Sequence, residues 1–106
     1  MNAQAQQHDL SYMVQVTRTA VKALKKLDKP LALALASAMA ALGQRPKQAG
    51  ERLSQPLIPL YSHHVTYKGK EFRLAYEVDD LAQTVIILLV GSHENFYRKL
   101  KQVFYS

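Results

Sequence analysis

The stretch Val85-Ile86-Ile87-Leu88-Leu89-Val90 constrains this chain more than any other. Six consecutive branched aliphatic side chains read as a β-strand covered on both faces, because a strand with one wet face alternates apolar and polar residues. A chain holding such a strand must supply a sheet around it and apolar layers on either side. Met13-Val14-Gln15-Val16-Thr17 and Glu71-Phe72-Arg73-Leu74-Ala75-Tyr76-Glu77-Val78 alternate in the strand period and are rich in β-branched and aromatic residues. Residues 60–68 read as a further strand, joined to the next by a turn at Gly69-Lys70, and Asp79-Asp80 closes the one after. Two successive hairpins make an antiparallel meander.

The covering layers come from two other textures. Ala20, Leu24 and Leu27 recur at helical spacing with Lys22, Lys25 and Lys26 on other faces, and Thr17 or Thr19 can cap that helix. Asp28-Lys29-Pro30 breaks it, and Pro30 suits the first turn of a second helix. Residues 31–42 are nearly all Leu and Ala and stop near Gly43. So short a break predicts an antiparallel helical hairpin. Residues 44–59 hold three of the four prolines and read as a loop. Gly91-Ser92-His93 ends the aliphatic strand, and residues 94–103 are helical, with Phe96, Leu100 and Val103 on one face. The expected order is β-α-α-β-β-β-α, an α+β fold whose antiparallel sheet packs against an N-terminal helical hairpin and a C-terminal helix. The 106 residues suffice for one core. Residues 12–106 therefore read as a single domain, and the polar residues 1–11 as a frayed leader.

Charge narrows the partners. Lys and Arg number 14 against 8 Asp and Glu, a formal +6, which favours a polyanion or an acidic protein. The absence of cysteine excludes disulfides and thiolate metal sites and suits a reducing cytoplasm. Four histidines without carboxylate or cysteine spacing make no metal site, and no glycine-rich phosphate loop is present, so no cofactor is expected. No apolar run reaches the ~18 residues of a membrane span, so no membrane partner is expected.

In this order the motifs resemble the RelE/ParE superfamily of toxins from residue 12 to residue 102. Met13 to Thr17 followed by Thr19-Ala20-Val21-Lys22-Ala23-Leu24-Lys25-Lys26-Leu27 is similar to the family's opening strand and its basic "AxKxLKKL" helix. Glu51-Arg52-Leu53 resembles its "K-R-L", and Leu60-Tyr61-Ser62-His63-His64-Val65 its "L-Y-R-L-R-V". Phe72-Arg73-Leu74-Ala75-Tyr76-Glu77-Val78-Asp79 resembles "Y-R-L-V-Y-x-I-D", and residues 85–93 resemble "V-x-I-L-x-I-G-x-[HR]". Six fragments in the right order are hard to produce by chance. The resemblance implies the toxin of a type II toxin–antitoxin pair. Its ribonuclease branch (RelE, YoeB, YafQ and HigB types) cuts translated mRNA on the ribosome, and its ParE branch poisons DNA gyrase without catalysis.

Cleavage of RNA by its own 2′-OH needs a proton acceptor, a cation for the phosphorane charge and an acid at the leaving oxygen. Arg73 is the candidate cation, since a guanidinium stays charged and binds phosphate through two parallel hydrogen bonds. Alternation alone favours a solvated arginine pairing with Glu71 or Glu77. The resemblance puts it where the family's ribonucleases contact the scissile phosphate. His93 stands in the "G-x-H" position of the YafQ-like members, and histidine is the natural proton carrier near neutral pH. Tyr97, four residues on, shares a helix face with it and can stack on a base or belong to the core. His63 and His64 face opposite ways on a strand, and the register assigns His64, with Ser62, to the cleft. The family carries Arg or Lys at Ser62 and His64, so phosphate grip is weaker there and proton transfer remains open. Arg52, Lys68, Lys70, Arg98 and Lys99, with Lys47, are candidate RNA contacts or solvated charges. The absence of Trp and the Gly91-Ser92-His93-Glu94 wording favour the metal-independent endoribonuclease over the gyrase inhibitor. Its partners would be an acidic, partly disordered antitoxin folding over the basic cleft, the ribosome and mRNA, with operator DNA reached only through the antitoxin.

Overall fold

The computed structural model describes residues 11–105. The elements run β1 (Met13–Val16), α1 (Arg18–Lys25), α2 (Lys29–Ala41), α3 (Pro46–Ala49), β2 (Glu51–Arg52), β3 (Tyr61–Tyr67), β4 (Lys70–Asp79), β5 (Thr84–Ser92) and α4 (Phe96–Phe104). They build an α+β fold around one five-stranded sheet of order β1-β5-β4-β3-β2. β3, β4 and β5 form the expected antiparallel meander, β2 extends it antiparallel, and β1 adds beside β5 in parallel and makes the sheet mixed. With β1 on one side and β4 on the other, the aliphatic strand has no open edge along its first half.

β5 is covered on both faces, and a bulge decides which side chain goes where. Ala75 pairs with Leu89 but Tyr76 pairs with Ile87, so Leu88 is the extra residue. The carbonyl of Leu88 accepts a hydrogen bond from the Thr17 hydroxyl at 3.3 Å. Past the bulge the alternation restarts. Val85, Ile87 and Val90 therefore join Phe72, Leu74 and Tyr76 under Ala20 of α1, Leu35 and Met39 of α2, and Leu42 at its C-cap. Leu89 goes to the other face with Ala75, Phe96, Leu100, Leu57 and Leu60, where α4 and the β2–β3 connection close a second, smaller core.

Local chemistry explains most boundaries. Thr17 caps α1, its hydroxyl accepting from the Ala20 N–H at 3.2 Å, and Pro30 lies in the first turn of α2. The β3–β4 turn sits at Lys68-Gly69, one residue before the expected place, with both residues at positive φ as a two-residue hairpin of this twist requires. Gly91 and Ser92 continue β5 instead of ending it, because they pair with Arg73 and Phe72. The predicted loop at 44–59 contains α3 and β2. Pro46 starts α3, and Glu51 and Arg52 find cross-strand partners in Ser62 and Tyr61, which no local pattern announces. Ser11 bridges to Gln44, and the rest of the supposed leader lies outside the described residues.

Because Ile87 is fully buried in the larger core, on the strand against which α1 packs, Ile87→Ala should cost about 2–5 kcal/mol of unfolding free energy. Urea titration would show it as a lower midpoint at unchanged slope. A loss below about 1 kcal/mol would mean that β5 is not the centre of the core.

Candidate functional site

The alternation of β4, with Phe72, Leu74 and Tyr76 in the larger core, leaves Arg73 on the sheet face opposite α1 and α2, next to the smaller core. Its Nη1 donates to Tyr97 Oη at 2.8 Å and contacts His64 Nε2 at 2.6 Å. His64 Nδ1 lies 2.9 Å from Glu71 Oε2, and Arg73 Nη2 stands 3.7 Å from the other oxygen of that carboxylate. The guanidinium also sits 5.5 Å from the centre of the Tyr97 ring. Three elements converge here. His64 on β3 is directly opposite Arg73 on β4, Glu71 precedes Arg73 on the same face, and Tyr97 comes from the first turn of α4. Tyr97 can reach only because Phe96 and Leu100 anchor α4 in the smaller core.

The hydrogen-bond pattern fixes the chemistry of His64. Arginine has donors only, so Nε2 must present its lone pair to Arg73, and Nδ1 must carry the proton and donate to Glu71. His64 is thereby a neutral base with its accepting nitrogen turned toward a cation. Arg73 is 12% exposed at its side chain, and its Nε is buried without a hydrogen-bond partner. A guanidinium in that state is desolvated yet incompletely paired, with the Glu71 carboxylate too far to satisfy it. An anion arriving on the open side would complete it.

Of the anticipated residues, Arg73, His64 and Tyr97 meet. His93 lies two residues beyond Gly91, the cross-strand partner of Arg73, and is exposed. Among the described residues its side chain has no hydrogen bond or ion pair. His63 turns away from the cluster, as the strand period requires, and its Nδ1 contacts the Ala49 carbonyl at 2.9 Å. Lys68 and Lys70 flank the β3–β4 turn and line a depression with Asp28, Lys29, Pro30 and Leu31 on the helical side of the sheet. Arg52 lies 6.0 Å from the centre of the Tyr61 ring, again away from Arg73. Arg98 donates to Asn95 Oδ1 at 2.9 Å, and Lys99 borders a groove between α1 and α4. Lys47 is at the far end of the sheet, 2.5 Å from Asp80. Lys47 and then the Tyr12 hydroxyl hold the Asp80 carboxyl below its ordinary range. Sequence reasoning missed Glu71 as the partner of His64. Two strands that pair at the cross-strand positions 64 and 73 put residue 71 diagonal to 64, which register alone could have suggested.

The tautomer of His64 is measurable in the free protein. Nitrogen-15 NMR of the imidazole should report an Nδ1–H form in the native chain and a mixed population in Glu71→Ala. An Nε2–H form in the native chain would contradict the geometry.

Comparison with known proteins bears on this arrangement. The family model "ParE-like toxin of type II bacterial toxin-antitoxin system" matches residues 14–101. No curated protein sequence matches. Among solved structures, the chain is similar to one from the RelBE2 toxin–antitoxin complex of Mycobacterium tuberculosis, at 30% identity over 79% of this chain and 100% of that one, with a TM-score of 0.69. It shares its fold with an E. coli toxin RelE carrying two arginine substitutions, in the free state, at 20% identity, 91% and 98% coverage and a TM-score of 0.70. It also shares it with a chain of the RelE–RelB complex of Pyrococcus horikoshii, at 18% identity, 80% and 98% coverage and a TM-score of 0.56. The match over 14–101 and the mycobacterial relative agree with the ordered motifs: the chain belongs to the RelE/ParE family and is a ParE-like toxin of a type II bacterial toxin–antitoxin system.

Proposed function

We propose that the toxin is a ribosome-dependent endoribonuclease that cleaves translated mRNA in the cytoplasm and so stops translation and growth. The observation that carries this reading is the Arg73–His64–Glu71–Tyr97 cluster, which joins an incompletely paired cation to an oriented neutral base. A protein that only bound gyrase would have no use for such a pair.

The reaction follows from the parts. A phosphate of the message takes the open side of Arg73 and draws the guanidinium off His64, which frees Nε2. The 2′-OH adjoining that phosphate gives its proton to Nε2 and its oxygen attacks phosphorus. The P–O5′ bond breaks, a 2′,3′-cyclic phosphate remains upstream, and the departing 5′ oxygen takes a proton. Arg73 offsets the charge that builds on the phosphorane oxygens. Glu71 keeps the ring in the accepting tautomer and steadies the imidazolium that forms. Tyr97 holds Arg73 in place or, once released, stacks on a base. His93, free at the mouth of β5, is the proposed donor to the leaving oxygen. Arg52, Lys68, Lys70, Arg98 and Lys99 lie outside this cluster, and their proposed part is contact with RNA phosphates at a distance.

Several structural relatives are complexes of toxin with antitoxin. By that likeness, and by the net charge of +6, an acidic cognate antitoxin is the proposed inhibitory partner. The competing reading is gyrase poisoning, which the family model's ParE-like description keeps in view.

Expression of the toxin with primer-extension mapping of message ends separates the two. New ends inside translated messages are expected, falling at least about 100-fold in Arg73→Ala, as for loss of a charge stabiliser, and by about 10²–10⁴ in His64→Ala, as for loss of a proton carrier. Intact messages together with a DNA-damage response would overturn the ribonuclease.

A further inference from the structure

A second cleft begins where the cluster ends. β2 pairs with β3 only at Ser62 and Tyr61, so beyond Ser62 the edge of β3 is open. The gap between this edge and α3 is lined by Gln48, Ala49, Gly50, Glu51, Ser62, His63 and His64 and encloses about 330 Å³. His64 therefore belongs to both places. Ser62 lies two residues back on the same strand face, about 7 Å along the sheet, comparable to the reach from a phosphate to the base of its own nucleotide.

The lining of this cleft differs from the rest of a basic molecule. No lysine or arginine contributes to it, so it is unsuited to phosphate. Its polar side chains are the Glu51 carboxylate, the Gln48 amide, the Ser62 hydroxyl and the imidazoles of His63 and His64. Among the described residues the Glu51 and Gln48 side chains make no hydrogen bond or ion pair. Ser62 is 1% exposed, and its hydroxyl is buried with no partner. An unpaired buried hydroxyl is uncommon and asks for a ligand or a reason. Gly50 lets the chain pass close against the sheet here, since a Cβ would collide with the Tyr76 hydroxyl and the Ser62 carbonyl oxygen. A carboxylate can only accept hydrogen bonds, and RNA donates to it from the 2′-hydroxyl and from base amino and imino N–H groups, of which only the base groups differ between nucleotides.

We infer that this cleft is a nucleobase pocket, occupied by the RNA residue adjoining the scissile phosphate and selective for bases that present an amino group to Glu51. The inference rests on the ribonuclease reading for the identity of the ligand. Adenine, cytosine and guanine each offer an exocyclic amine on the edge that would enter. Uracil offers only its N3–H on that edge, flanked by two carbonyl oxygens that a carboxylate repels. Gln48 and Ser62 supply the groups that can complement the neighbouring position on that edge.

The test is binding to the intact toxin, independent of cleavage. Trinucleotides with 2′-O-methyl sugars cannot be cut, and four of them differing only in the central base can be titrated while amide NMR signals are followed. Shifts are expected at Gln48, Gly50, Glu51 and Ser62, with the three amino bases bound about 5- to 100-fold more tightly than uracil. Glu51→Gln, which keeps the shape but adds a donor, should erase that gap or favour uracil. Equal binding of all four, shifts confined to other residues, or no shift at these four would overturn the pocket. If messages stay intact in the cell while this discrimination is found, the ribonuclease reading falls and the base pocket stands.

Discussion

The whole molecule depends on burying one strand from both sides. β5 carries too many aliphatic groups for a sheet with one wet face, so α1 and α2 cover one side while α4 and the β2–β3 connection cover the other. A single extra residue at Leu88 apportions the side chains between the two cores. Without it Leu89 and Val90 would exchange faces, since strand side chains alternate strictly. The smaller core would then lose Leu89, one of the residues against which α4 packs. Tyr97 reaches Arg73 only as long as α4 stays docked, so the packing of a hydrocarbon strand sets the position of a hydroxyl at the polar cluster.

The cluster also shows how a charge is kept available inside a fold. A fully exposed Arg73 would be satisfied by water, and a fully paired one would be silenced by its carboxylate. Here the side chain is largely buried, its closest contacts are a neutral ring and a phenol, and the carboxylate spends its nearer oxygen on His64. The guanidinium remains the strongest unsatisfied group on this face. Its neighbour His64 presents an accepting nitrogen, which a side chain with donors alone could not. Glu71 holds the ring in that orientation, so Glu71 and Arg73 are coupled through His64.

The basic surface divides in the same way. Lys47 serves the far end of the sheet, where Asp80 is tied to it and to Tyr12. Lys68, Lys70 and Arg52 lie on the helical side, and only His64, Arg73 and Tyr97 of the anticipated residues touch one another. Positions in a linear sequence carry their charge plainly but not the side of the sheet on which it falls.

The family and every element except α3 and β2 are readable in the residues alone. Residues 85–90 declare a doubly covered strand, the Leu/Ala run declares α2, and the ordered motifs declare a RelE/ParE toxin, because hydrophobic period and helix propensity act over a few residues at a time. Long-range packing settles the rest. The parallel placing of β1, the pairing of Glu51-Arg52, the bulge at Leu88 and the contact of Glu71 with His64 all depend on partners distant in the chain or across a strand. Those choices are made by which arrangement buries the most apolar surface while leaving each backbone group paired. A local pattern holds no record of that sum, and so the strand at 85–90 is legible from the start while the site that it positions is not.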